Sequence, residues 1–201
     1  MKKELSYFKI EESYGGNQNW FTDPMMKMGG CAAVTACDLC IYLKYLKRKN
    51  HLYPYDIGLL TKKDYINFSK IMKPYLRPRM NGINTLKLFI DGFNKYLFDV
   101  KEYNLQMTPF SGNETVDKAI EKIKYQIDNE IPIPYLLLKH ENTALNDFIW
   151  HWFLVVGYDE DDDFKIKVVT YGQYFTFSLR ELWNTGYEEK GGMIIIEKIN
   201  D

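Results

Sequence analysis

Two residues in this chain have the chemistry and the setting for nucleophilic catalysis. Cys31 follows Gly29-Gly30 and opens the run CAAVTACDLCIYLKYLKRKN, which has the composition of a helix. A thiol at a helix N-terminus lies at the positive end of the backbone dipole, which favours the thiolate, the reactive form. Two glycines before it let a substrate backbone approach closely. His151 lies in the run Trp150-His151-Trp152-Phe153-Leu154-Val155-Val156-Gly157-Tyr158, an alternating strand pattern that puts it on one face with Ile149, Phe153 and Val155. An imidazole there has two ring nitrogens to satisfy, and one of them can take a proton from a thiol. His51, in a loop after a basic helix, and His140, beside Glu141, fit that role less well. Gly29, Gly30, Trp150 and Trp152 flank the two reactive groups and are the candidate substrate-binding residues.

The remaining chemical signals read as structure. Cys37 and Cys40 form a single CxxC inside the helix that Cys31 opens, and no second ligand pair has zinc spacing, so both are expected buried, unbridged and without metal. The acidic run from Asp159 to Asp163 reads as a solvated hairpin turn, and Met25, Met26 and Met28 as loop packing.

These residues need elements to hold them, and the composition supplies a globular chain. Of 201 residues, 46% are hydrophobic and 26% charged, enough for one domain with its own core and far from a disordered composition. A net charge of −1, with arginine only at 48, 77, 79 and 180, gives no footprint for nucleic acid. The longest apolar stretch, Ile131 to Leu138, is too short to span a bilayer and contains two prolines. An odd count of three cysteines and the absence of a secretory leader point to the cytoplasm.

Along the chain, residues 1–28 read as an irregular lead-in. Helices are expected over Cys31–Arg48, Lys62–Met72, Ile83–Phe98 and Thr115–Asp128. Strands are expected in IPYLLLK, DFIWHWFLVVGYD, DFKIKVVTY, QYFTFS and GMIIIEKI, with a short helix at Leu179–Trp183. Helices followed by an antiparallel sheet make an α+β fold: a helical half over about 13–130, including a helical insertion at 50–130, and a sheet half over about 131–201.

A cysteine at a helix start with a strand histidine 120 residues later resembles the papain-like cysteine peptidases, and is most similar to their smaller bacterial branch that cleaves double-glycine leader peptides. GGCAAVTACDL, HWFLVVGYD, VVTYG and GGMIIIEKI carry the likeness, over about 13–49 and 133–199. The resemblance implies a papain-like fold and a hydrolase that works through an acyl-enzyme on a peptide or other acyl substrate, with no cofactor or metal and with no nucleic-acid or membrane partner. It implies an oxyanion role for Gln18, thirteen residues before Cys31. Where such enzymes place an Asn or Asp behind the histidine, this chain has Val169-Thr170-Tyr171-Gly172, so Thr170 or Gln173 would accept the ring N–H. The rival readings are an acyltransferase on the same fold and a peptide-binding module without turnover.

Overall fold

The computed structural model describes residues 1–47, 50–79 and 82–198. In chain order the elements are β1 (Lys2–Glu4), β2 (Lys9–Ile10), β3 (Ser13–Tyr14), α1 (Pro24–Gly29), α2 (Cys31–Lys47), α3 (Lys62–Met72), α4 (Leu86–Asp99), β4 (Leu105–Ser111), α5 (Val116–Asp128), β5 (Ile133–Leu137), β6 (His151–Asp159), β7 (Lys165–Thr170), β8 (Gln173–Ser178), α6 (Leu179–Trp183) and β9 (Gly192–Lys198). The α+β class expected from the sequence is what forms. No helix among the described residues is long and apolar enough to cross a membrane.

Helix starts are written in the sequence. Asp23, Thr61, Thr85, Thr115 and Ser178 each accept a hydrogen bond from a backbone N–H of the first helical turn, at the heads of α1, α3, α4, α5 and α6. α2 has no polar stripe over most of its length: every residue from Cys31 to Leu43 is buried. A helix apolar all round belongs inside a core, and α2 lies against β6, the strand that carries His151.

The main sheet runs β4-β9-β5-β6-β7-β8, with every pairing antiparallel. β6 is its long central strand. β5 covers its first half, through residues 151–155, and β1 takes over at 157–159. The β5–β9 ladder is limited to Tyr135 and Leu136, and Pro134, the next residue on β5, has no N–H to extend it. A side chain completes the edge. Gln126, fully buried on α5, donates from Nε2 to the Ile196 carbonyl at 2.9 Å and accepts from the Ile196 N–H at 3.0 Å.

The sequence reading differs from this structure in four main places. Residues 1–28 are not irregular: β1 joins the main sheet, β2 and β3 pair as a hairpin, and Asp23-Pro24 starts α1 as cap and first residue. The insertion at 50–130 is not wholly helical, because β4 pairs along β9; Pro109 hides it, since proline weakens any strand pattern and is tolerated at an edge. The helix expected from Ile83 starts at its cap, Thr85. The strand expected from Asp147 begins at His151, because residues 143–148 form a 3₁₀ turn capped by Asn142. The last residue expected in α2, Arg48, and Ile199 at the end of β9 lie outside the described residues.

Gln126→Leu keeps the size of the side chain and leaves the Ile196 N–H and C=O buried without partners. Each such group costs about 1–3 kcal/mol, so urea unfolding should show a loss of a few kcal/mol. An unchanged midpoint would mean that β9 finds other partners.

Candidate functional site

Cys31 is the first residue of α2, entered by a sharp turn from α1. Gly30 makes that turn possible. A Cβ there would sit 2.2 Å from the Met26 carbonyl oxygen and 3.2 Å from the Phe21 ring. The physical need for this glycine is thus the close approach of its backbone to the last turn of α1 and to the Phe21 ring. Gly29, the last residue of α1, abuts Pro78. Gln18 reaches the same helix end. Its Nε2 donates to the carbonyls of Lys27 at 3.1 Å and Met28 at 3.5 Å, which closes the C-terminus of α1. The amide expected to face an oxyanion is therefore engaged in a structural bond.

His151 is placed by a kink. Trp150, in the left-handed region at φ 53°, donates its N–H to the Leu138 carbonyl at 2.9 Å and turns the chain into β6. That conformation is costly for a bulky residue and persists only where neighbours enforce it. The β6–β7 register sets Val169 opposite Leu154, which brings Thr170 into diagonal reach of the ring. Thr170 Oγ1 lies 2.7 Å from His151 Nε2, and both residues are buried. Gln173, the alternative on the sequence, lies on β8, and the ring has no contact with it among the described residues.

A residue that sequence reasoning passed over completes the histidine's surroundings. Tyr171 stacks on the imidazole, with ring centres 4.5 Å apart and planes 11° from parallel. Its hydroxyl donates to the Asp147 carbonyl at 2.9 Å and lies 3.4 Å from His151 Nδ1. With Gly172 it forms the β7–β8 turn, both residues at positive φ. Among the described residues Thr170 is therefore the ring's hydrogen-bond partner, Tyr171 covers its face and lies beside Nδ1, and Cys31 bonds neither nitrogen. Sγ of Cys31 instead faces the adjoining peptide: the N–H groups of Trp152, Ala32 and Cys31 itself all favour its thiolate. A thiolate there is also one of the charges that, after burial, raise the Tyr171 phenol to about 12.

The lead-in loop is tied into this cluster from both sides. Asn17 donates from Nδ2 to the Tyr171 carbonyl at 2.9 Å. Its neighbour Gly16 donates its N–H to both carboxylate oxygens of Asp38 on α2, at 3.0 and 3.1 Å. Tyr65 and Tyr7 donate to the same carboxylate at 2.8 and 3.0 Å. A Cβ on Gly16 would overlap the Tyr65 hydroxyl at 1.9 Å, so only glycine lets this loop lie against α3. Asp38, seven residues after Cys31 in an apolar run, gave no signal on the sequence beyond being a lone charge in a buried helix.

Electrostatics favour the neutral forms of Cys31 and His151. Cys31 is 7% exposed and His151 5%. Burial pushes the Cys31 thiol up, against the pull of the three backbone N–H groups, and pushes His151 down to about 4. The low thiol pKa expected from the helix start is thus overridden by desolvation. Burial also raises Asp38 to about 7, although its tyrosine and amide donors favour the charged form.

The two tryptophans beside His151 separate cleanly. Trp152 is 1% exposed, donates its indole N–H to the Ile83 carbonyl at 2.6 Å and packs on Phe89, so it is a core residue and not a substrate contact. Trp150 is 45% exposed, with the Lys139 ammonium 5.7 Å from its ring centre. Cys37 and Cys40 are buried free thiols, and the described residues contain no group of three or more metal-ligating side chains.

Two measurements follow from these shifts. Iodoacetamide should label Cys31 slowly at neutral pH, with a rate that climbs only above pH 9; fast labelling below pH 7 would mean that the pair is ionised at rest. Asp38 holds its proton more tightly folded than unfolded, so its stabilising contribution is full below about pH 4 and is lost as pH rises to about 7. Asp38→Asn removes this loss. Relative to the wild type, the variant should gain stability between about pH 4 and pH 7 at up to about 1.4 kcal/mol per pH unit. A pH-independent difference in urea unfolding would show that Asp38 is already ionised in the acid range.

No family model, curated protein or solved structure matches this chain.

Proposed function

We propose that the chain is a cysteine hydrolase of papain-like type, acting on a peptide or other acyl substrate. The observation that carries this reading is the 2.7 Å contact between His151 Nε2 and Thr170 Oγ1, with Cys31 at a helix N-terminus where the N–H of Trp152, the residue after His151, favours its thiolate. With Nε2–H donating to Thr170, the Nδ1 lone pair is the one free to accept a proton. As Cys31 Sγ bonds to the substrate carbonyl carbon, its proton passes to Nδ1 of His151. The resulting oxyanion is held by the Cys31 N–H, and collapse expels the leaving group, which takes the proton back. Water, deprotonated by the same nitrogen, then releases the acid and the thiol. Because both groups are neutral at rest, proton transfer accompanies attack instead of preceding it.

Burial of both groups and the neutral residue behind the ring favour a second reading, a peptide-binding module without turnover. Acylation separates the two. With p-nitrophenyl acetate, intact mass spectrometry should find the acetyl group on Cys31. His151→Ala should slow that step by about a hundredfold or more, the usual contribution of a general base. Thr170→Val, which keeps the shape and removes the acceptor, should slow it by a smaller factor. An equal rate in His151→Ala would remove the histidine from the mechanism. Folded protein that never acylates on Cys31 would leave the binding module as the better reading.

A further inference from the structure

Outside the candidate site lies a cavity that the reaction does not use. Residues 74–79, Ile83 and the exposed side of α4 line a space of about 350 Å³, within the range of small-ligand sites. Two of the chain's few arginines, Arg77 and Arg79, line it together with Lys95. Among the described residues none of these three side chains has a hydrogen-bond or ion-pair partner. The acid in the wall, Asp91, is already held by Lys87 at 2.5 Å. Pro74, Ile83 and Leu88 supply an apolar floor. Tyr75 fixes the rim, its hydroxyl donating to Asp99 at 2.7 Å and its ring packed edge-on to Tyr96 at 5.3 Å.

We propose that this cavity binds an oxyanion, a carboxylate or phosphoryl group carried on a small apolar body. Three unpaired cations around one concave space repel each other and gain most from an anion placed between them. Arginine forks match carboxylate and phosphate oxygens in bidentate geometry, and a lysine adds a point charge. The apolar floor takes the rest of the ligand. The segment that carries the arginines also touches sequence neighbours of the dyad: Pro78, between them, abuts Gly29, and the Ile83 carbonyl receives the Trp152 indole N–H. The site does not depend on Cys31 being catalytic.

Thermal unfolding of the full chain tests it, with phenyl phosphate and phenylacetate as probes and sodium chloride at matched ionic strength as reference. Binding to the native state alone raises the melting temperature with ligand concentration. One or both probes should raise it beyond chloride, and the probe that does so identifies the preferred oxyanion. Arg77→Gln/Arg79→Gln should weaken that probe at least tenfold, and Lys95→Gln by less. Lys63→Gln/Lys122→Gln, an equal charge change at exposed sites elsewhere, should leave it intact. No shift with either probe overturns the proposal, and so does a shift that survives in Arg77→Gln/Arg79→Gln or is lost equally in the control variant.

Discussion

The Asp38 carboxylate is the constraint around which the candidate site is assembled. An ionisable group with an exposure of only 3% is tolerated only if its lone pairs are satisfied. Here the donors come from three separate pieces of chain: Tyr7 from the lead-in, the Gly16 amide from the loop after β3, and Tyr65 from α3. Seven residues of helix, about 10 Å of rise, separate Asp38 from Cys31 on α2. The carboxylate thus fixes the loop of residues 15–18 relative to the helix that presents the thiol. From that loop Asn17 reaches the Tyr171 carbonyl, and Tyr171 lies flat on His151. The position of the imidazole is in this way linked to the position of the thiol by hydrogen bonds and one ring contact, although the two groups do not bond each other directly.

Magnitudes decide the resting state of that pair. A helix N-terminus is worth about 0.3–1 kcal/mol to a nearby anion, and up to about 2 in a partly buried setting. Full burial can move a titratable group by as much as 3–5 pKa units, or about 4–7 kcal/mol. At Cys31 the dipole and three N–H groups pull one way and desolvation pulls harder the other way. At His151 nothing charged opposes desolvation, and the imidazole ends near 4. An ion pair would need both penalties met at once, and the two buried groups stay neutral instead.

This balance also explains what could be read without a structure. Local rules decided the helices: α3, α5 and α6 run as the apolar spacing and the Thr and Ser caps require, and β8 runs over the residues its alternation marked. The site's two ends were visible because a helix-start cysteine and a strand histidine are local features too. What stayed hidden depends on contacts distant in sequence. Asn17 and Tyr171 are 154 residues apart, and Gln126 and Ile196 are 70 apart. On the sequence Trp152 is a candidate substrate-binding residue, yet alternation alone does not say which face α4 covers. Resemblance gives Gln18 an oxyanion role, while in the structure its amide bonds to the end of α1.

Tyr171 offers a physical answer to the missing acid. In the proposed reaction the imidazole must carry a positive charge for as long as the thiolate attacks. Thr170 can orient the ring and accept its N–H, but a hydroxyl brings no countercharge. The tyrosine face does bring negative potential: a cation over an aromatic ring gains about 0.5–1 kcal/mol when exposed and about 2 or more when desolvated. The ring centres are 4.5 Å apart and nearly parallel, so the stack lies within the range over which that attraction acts. It is smaller than what a buried carboxylate gives, and it costs less to bury, because a phenol needs no counterion while the enzyme rests. A site built this way keeps no standing charge near the thiol. The charge appears only during attack, between a ring that attracts cations and backbone N–H groups that attract anions. The left-handed turn at Tyr171 then has a mechanical purpose, since an extended residue at that position would carry its ring away from the histidine.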